Sequence, residues 1–117
     1  QTGQGKQLDF EHPDYHQYEF LSFEQYVRAL KLADLVIARA GLSTITELAA
    51  LGKIAIIVPM PDSHQEENAQ ILKNLSAAIV LNKNEFNQVD LPRIVTSIKF
   101  NTGREKLLAD NIKGLFP

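Results

Sequence analysis

Residues suited to binding a polar ligand are concentrated in one short stretch, ARAGLSTITELAALGK at positions 38–53. Gly41 is followed closely by two hydroxyls, Ser43 and Thr44, and by the carboxylate of Glu47. Glycine allows a tight turn or a close backbone approach to a ligand, and the free amides at the start of a helix attract an anion such as phosphate. Glu47, one turn further on, is placed to accept hydrogen bonds from vicinal hydroxyls such as those of a ribose.

The same spacing also matches a helix capping box. In that interpretation Thr44 caps the amide three residues ahead, and Glu47 reaches back to the amide of the cap residue. Arg39 precedes the glycine and is either a ligand contact or a surface or ion-pairing residue. Spacing leaves these interpretations open, and the two roles can coexist.

A second polar segment, VPMPDSHQEENAQIL, follows the next apolar run. His64, Gln65 and Asn68 fall on the first turn of a predicted helix, where their side chains suit a ligand with several hydroxyls, such as a sugar. In the alternative, Asp62 or Ser63 caps the helix and the polar side chains face water. An imidazole such as that of His64 can act as a general base, but no partner for a catalytic triad is evident in the sequence.

Hydrophobic patterning predicts strands over 18–21, 34–38, 54–59 and 77–82, and helices over 22–33, 43–51, 65–76, 89–98 and 103–115. Ser22 is a suitable N-cap for the first helix, and Gly52 is expected to end the second. The run DLVIA is rich in branched residues, which favours a strand buried on both faces. Strict alternation of strands and helices predicts an open, mostly parallel α/β sheet with right-handed crossovers.

This architecture predicts where a ligand binds. In open parallel sheets, ligands lie beyond the carboxyl ends of the strands, where loops and helix N-termini converge. Three predicted loops meet this condition, at 21–23, 39–44 and 60–65. We therefore expect both polar segments to line one edge of the sheet.

Composition excludes several classes of function. The 117 residues carry a net charge of -2 without a basic stripe, which argues against nucleic-acid binding. The chain has no cysteine, so thiolate catalysis and cysteine-based metal sites are excluded. His12 and His16 form only a weak metal candidate, and GQGK at 3–6 is too short for a Walker-type phosphate loop. No apolar run approaches the roughly 20 residues of a membrane span.

Four segments occur together in this chain: QTGQGK, FL at the start of a helix, ADLVIARAGLSTITELAALGKIAIIVPMP, and HQEENAQIL. In combination they resemble the C-terminal, donor-binding domain of glycosyltransferase family 28. The resemblance covers nearly the whole chain and is most specific over residues 34–72, where R-A-G-L-S-T-I-T-E is followed by P-x-P and H-Q-x-x-N-A.

The resemblance implies one Rossmann-like half of a GT-B glycosyltransferase that binds UDP-N-acetylglucosamine without a cofactor or metal. It also implies roles for particular residues: the backbone at Leu21 near the uracil, Arg39 and Gly41 in the binding loop, Ser43 and Thr44 at the diphosphate, Glu47 at the ribose, and His64, Gln65 and Asn68 at the sugar. The implied reaction is inverting transfer of N-acetylglucosamine to the C4 hydroxyl of the muramoyl sugar of lipid I. Its product is lipid II, made in peptidoglycan synthesis by a protein peripheral to the cytoplasmic face of the plasma membrane.

The sequence also departs from the family pattern. In the family an initial strand and glycine-rich loop precede the QTG segment, and an acceptor-binding domain lies further upstream. We therefore expect residues 1–117 to be a single donor domain truncated at its N-terminal side, with no assignable catalytic residue. The alternatives are the donor domain of another GT-B lipid glycosyltransferase, a non-catalytic nucleotide-sugar-binding module, and an α/β domain whose polar loops are caps only.

Overall fold

The computed structural model describes residues 5, 6, 8, 9 and 11–116. The first four residues of the QTGQGK motif, and with them the beginning of GQGK, lie outside this described part. The chain divides into two compact units, residues 1–32 and 33–117, which are described separately. The expectation of a single partial domain stays a prediction.

The described residues of the first unit form one helix, α1, over Phe23–Leu32. Ser22 caps it as predicted, since the Gln25 amide donates to the Ser22 hydroxyl (3.2 Å) and the Ser22 amide donates to Gln25 Oε1 (3.0 Å). The strand predicted over 18–21 is wrong: this segment forms no ladder, and Phe20 is exposed. A strand requires a partner for its backbone groups, and the isolated His12–Tyr15 bridge is the only strand-like pairing among the described residues of this unit.

The second unit contains a parallel sheet of three strands, ordered β1-β2-β3. The elements in chain order are β1 (Val36–Ala38), α2 (Leu42–Leu51), β2 (Ala55–Ile57), α3 (Gln65–Asn74), β3 (Ile79–Val80), α4 (Lys83–Gln88), α5 (Leu91–Lys99) and α6 (Thr102–Lys113). The predicted fold class, an open parallel α/β sheet, is confirmed.

Strand β2 is the centre of the sheet, and its three residues are fully buried as predicted. The prediction that the first strand is buried on both faces is wrong, because Ile37 is 43% exposed. β1 lies at one edge and β3 at the other, so each has a single neighbouring strand. β3 is also shorter than predicted and is not central.

The core of this unit is formed by residues of α2, β2, α3 and α6. Its largest fully buried side chains are Leu48, Ile56, Ile57, Leu72 and Ile112. Gly52 ends α2 as predicted, with φ 63° and ψ 38°, and the Lys53 amide donates to the Leu48 carbonyl (3.0 Å). This left-handed backbone is the conformation that glycine adopts without strain at the end of a helix.

The predicted strict alternation of strands and helices is wrong after β3, where three helices follow one another. Helix α4 was not predicted. A capping box starts it: the Glu85 amide donates to Asn82 Oδ1 (2.8 Å), and the Asn82 amide donates to Glu85 Oε1 (3.0 Å). The N-x-x-E spacing is present in the sequence and was the signal for this helix.

Candidate functional site

The loops that follow β1 and β2 lie side by side at the carboxyl edge of the sheet. Their neighbourhood follows from the parallel register, in which Ala38 pairs with Ile57 and the Val58 amide donates to the Ala38 carbonyl (2.9 Å). The predicted residues Arg39, Gly41, Gln65 and Asn68 all lie on these loops or on the helices that begin there. The fold thus brings the two polar segments of the second unit together, as expected.

Helix α2 begins without a side-chain cap. Its N-cap is Gly41, in an extended conformation (φ -69°, ψ 143°), and the first hydrogen bond of the helix runs from the Ile45 amide to the Gly41 carbonyl (3.0 Å). The amides of Leu42, Ser43 and Thr44 precede that bond and have no partner among the described residues. Three outward donors and the positive end of the helix dipole suit an anion at this position.

The capping-box interpretation of Thr44 and Glu47 is wrong. Because α2 starts at Leu42, Thr44 is the third residue inside the helix and cannot cap it. The Ser43 and Thr44 hydroxyls make no hydrogen bond among the described residues, and Glu47, which is half-buried, has neither a hydrogen bond nor an ion pair there. Glu47 therefore does not serve as a capping-box residue, which was the alternative to ligand binding.

Gln65 and Asn68 hold the loop that leads into α2. Gln65 Oε1 accepts from the Ala40 amide (3.2 Å) and the Met60 amide (3.0 Å), while Asn68 Nδ2 donates to the Ala40 carbonyl (3.0 Å). Both side chains are half-buried, so the alternative in which Gln65 simply faces water is wrong. Gln65 Nε2 and Asn68 Oδ1 have no partner among the described residues.

Arg39 joins the ends of β1 and β2. Its Nη1 donates to the carbonyls of Val58 (3.2 Å) and Pro59 (3.3 Å). The prediction offered a ligand contact or a surface or ion-pairing residue. Arg39 is exposed, and in addition its guanidinium bonds the backbone at the end of β2. A contact with a ligand through the remaining donors of Arg39 stays a prediction.

His64 is the residue just before α3, and its side chain is 99% exposed. The nearest carboxylate is that of Glu67, 3.9 Å from Nδ1. The prediction that Asp62 or Ser63 caps α3 is wrong, because the N-cap is His64 and makes no side-chain cap bond. The Ser63 hydroxyl still accepts from the Gln65 amide (3.2 Å), and the Asp62 amide donates to Glu66 Oε1 (2.7 Å). His64 lies at the α3 end of the site, and among the described residues its imidazole has no partner other than Glu67.

Leu21 belongs to the first unit, where it is half-buried immediately before the cap of α1. Its part in the binding site stays a prediction. Within the described residues no three His, Cys, Asp or Glu side chains are grouped so that they could hold a metal ion. In the same part of the chain, no helix is long and apolar enough to cross a membrane.

The interpretation of the sequence missed the main-chain groups that organise this site. These groups are the amides of Ala40 and Met60, which donate to Gln65 Oε1, and the carbonyl of the buried Ala40, which accepts from Asn68 Nδ2. No side-chain signal marks them, because a backbone group is the same at every residue other than proline. It also missed an apolar groove of about 240 Å³ beside the start of α2, lined in part by Leu42, Ile71 and Phe116.

Comparison with known proteins gives consistent results. Residues 1–114 match the glycosyltransferase family 28 C-terminal domain. A UDP-N-acetylglucosamine--N-acetylmuramyl-(pentapeptide) pyrophosphoryl-undecaprenol N-acetylglucosamine transferase from Prochlorococcus marinus is 36% identical over 92% of this chain and 32% of the relative. A protein of the same description from Idiomarina loihiensis is 50% identical over 49% of this chain and 17% of the relative.

A solved structure, that of MurG from Acinetobacter baumannii, resembles this chain with a TM-score of 0.65 and 28% identity. It is matched over 83% of this chain and 27% of its own length. The chain therefore spans about a third or less of the relatives that it resembles. With a family match across almost its full length and a corresponding fold, the chain belongs to the glycosyltransferase family 28 C-terminal domain family.

Proposed function

We propose that this chain is the UDP-N-acetylglucosamine-binding part of an inverting N-acetylglucosaminyltransferase that converts lipid I to lipid II in peptidoglycan synthesis. The observation that carries the proposal is the uncapped start of α2, where free amides, two free hydroxyls and the unengaged Glu47 occur together. The curated relatives support the choice of ligand, since the name of each describes a transferase that uses UDP-N-acetylglucosamine.

In this proposal the diphosphate binds at the α2 amides. The Ser43 and Thr44 hydroxyls add donors, and Glu47 accepts from the two ribose hydroxyls. Hydrogen bonds to charged groups contribute about 1.5–3 kcal/mol each, so these contacts supply a large share of the affinity. The uncapped helix suits this role because the ligand takes the place that a side-chain cap takes in other helices.

The sugar lies toward the start of α3. His64 offers an exposed imidazole, and Gln65 Nε2 and Asn68 Oδ1 are a donor and an acceptor not used within the described residues. Hydroxyl and acetamido groups of N-acetylglucosamine both donate and accept, so a mixed set of this kind matches them. The uracil is placed at the backbone of Leu21 on the basis of the family resemblance alone.

The transfer step follows from this arrangement. The C4 hydroxyl oxygen of the acceptor forms a bond to the anomeric carbon, while the bond from that carbon to the β-phosphate oxygen breaks and leaves its electron pair on UDP. The α2 amides stabilise the negative charge that develops on the departing diphosphate, a preorganised electrostatic contribution. The hydroxyl proton passes to a base that these residues do not identify.

Since the chain spans about a third of its curated relatives, acceptor binding is assigned to the parent protein at the cytoplasmic membrane face. We expect the 117 residues alone to bind UDP-N-acetylglucosamine weakly and to transfer nothing. Turnover of lipid I by the isolated chain would contradict this expectation.

The proposal is tested by titrating the ¹⁵N-labelled chain with UDP-N-acetylglucosamine, UDP and ADP. We expect amide shifts confined to Leu21, 41–47 and 64–68, with UDP preferred over ADP. Glu66→Gln serves as a matched control for Glu47→Gln, because both remove one carboxylate but Glu66 is exposed and bonded to the Asp62 amide. An equal loss of nucleotide binding in both variants, or amide shifts outside these residues, would contradict the assigned site.

A second experiment distinguishes the enzyme from a non-catalytic nucleotide-sugar-binding module by joining the chain to an acceptor domain of the family. Transfer by the fusion supports the enzyme, whereas binding of UDP-N-acetylglucosamine without transfer supports the module.

A further inference from the structure

One side-chain oxygen bridges the two loops of the site. Gln65 Oε1 accepts the amide of Ala40 from the loop after β1 and the amide of Met60 from the loop after β2. A carbonyl oxygen has two lone pairs, so both bonds are satisfied at once. Met60 is only 5 positions from Gln65, but Ala40 is 25 positions away, so the bond to Ala40 is a product of the fold.

Ala40 is held on both of its polar groups. Its amide donates to Gln65 Oε1, and its carbonyl accepts from Asn68 Nδ2 (3.0 Å); the residue itself is fully buried. Arg39, one residue earlier, bonds the carbonyls of Val58 and Pro59. The backbone that leads into α2 is therefore held by two side chains of α3 and by the bonds of Arg39 to the end of β2.

Ala40 directly precedes Gly41, the N-cap of α2. Gly41 has no side chain to anchor the start of the helix, so the position of the free α2 amides depends on the bonds that hold Ala40. An oxyanion site stabilises charge only when its donors are already oriented, and small displacements weaken it steeply.

We propose that Gln65 is a positioning residue for the donor site. Through Oε1 it fixes Ala40 against Met60 and thereby orients the α2 amides toward the diphosphate. This role deepens the proposed function and rests on it. It differs from the sugar contact assigned to Gln65 Nε2, since it acts before any sugar is bound and through the other atom of the same side chain.

The first test is amide hydrogen exchange on the ligand-free chain, which needs no substrate. Gln65→Met removes the shared acceptor at similar length, and we expect exchange of the Ala40 and Met60 amides to be about tenfold faster, with the Ile56 amide unchanged as a reference for global stability. Gln65→Glu keeps an acceptor oxygen and is expected to restore protection. Gln70→Met is the matched control, because Gln70 lies on the same helix and its side chain bonds only Asn74 among the described residues.

Unchanged exchange of both amides in Gln65→Met would overturn the positioning role. If that variant does not fold, Gln65→Glu decides the question. A charged acceptor forms a shorter and stronger bond, so the Ala40 and Met60 amide signals should move downfield relative to the wild-type chain. The absence of any shift at these two amides would overturn the proposal.

The second test compares UDP with UDP-N-acetylglucosamine. A positioning role predicts that Gln65→Met weakens UDP binding about tenfold, because UDP uses the α2 amides. UDP-N-acetylglucosamine should be weakened by at least the same factor, because this variant also removes the sugar contact assigned to Nε2. A residue that contacts only the sugar leaves UDP binding unchanged, and that result overturns the proposal. If the wild-type chain binds neither ligand, the proposed function fails, while the exchange experiment still decides whether Gln65 positions the loop.

Discussion

Replacing Gly41 by aspartate is expected to stabilise the fold and abolish nucleotide binding. The backbone at Gly41 has φ -69° and ψ 143°, which any residue adopts without strain. A Cβ added there meets only Gln65 Nε2, at 3.9 Å, an ordinary contact. The aspartate can therefore enter the N-cap position, where its carboxylate accepts from the free amides of α2.

The substitution is expected to stabilise the fold but to weaken nucleotide binding. Aspartate in place of glycine at an N-cap contributes a few tenths of a kcal/mol, and its charge at the helix N-terminus adds about 0.3–1 kcal/mol. For nucleotide binding, a carboxylate about 4 Å from a phosphate charge costs about 4 kcal/mol at an effective dielectric constant near 20. That penalty corresponds to roughly a thousandfold loss of affinity.

The assay pairs urea unfolding with a UDP titration on the same samples, and Gly41→Ala serves as the control because it adds the Cβ without an acceptor. We expect the aspartate variant to be more stable by about 0.5–1 kcal/mol and to bind no UDP, while the alanine variant binds UDP within about twofold of wild type. Undiminished UDP binding by Gly41→Asp would refute the assignment of the anion site to α2. A less stable aspartate variant would refute the N-cap assignment.

Three further substitutions test other parts of the structure. Glu47→Gln should leave stability unchanged, since Glu47 has no partner among the described residues. It should weaken UDP binding at least about tenfold, because a charged acceptor is lost. Binding equal to wild type in the titration would contradict the ribose contact. Gly52→Ala should lower the free energy of unfolding measured in urea by about 1–2 kcal/mol, because the backbone at position 52 has a positive φ, and Gly52→Asn should lower it by less. Stability equal to wild type in both variants would contradict backbone strain at this position. A Cβ at position 52 would also displace the side chain of Lys113, which lies against Gly52. Asn82→Ala should cost about 1 kcal/mol and speed amide exchange within α4, whereas unchanged exchange there argues against the capping box.

The alternation of elements around the sheet was predictable because its signals are local. Runs such as IAIIVP are too short for a helix and rich in branched residues, and Gly52 marks a helix end through its own conformational freedom. The polar segments at 39–47 and 62–68 were likewise visible, since residue types need no fold to be recognised. The family resemblance rests on the same segments.

Errors arose where a local pattern fitted two structures. Thr44 and Glu47 have the spacing of a capping box, yet α2 begins at Leu42 and puts Thr44 inside the helix. Gly41 as N-cap gives no side-chain signal, so the start of the helix could not be read from spacing. The same limit applies to residues 18–21, whose strand-like composition is insufficient without a paired neighbour.

The sequence by itself determined which residues are available for binding and that they follow strands of a parallel sheet. Only the tertiary structure decided how they are used, because the deciding bonds join residues distant along the chain: Gln65 Oε1 with the Ala40 amide across 25 positions, and Asn68 Nδ2 with the Ala40 carbonyl across 28. Backbone amides and carbonyls are chemically alike along the chain, so their partners are chosen by the packing of the strands and helices that bring them within reach.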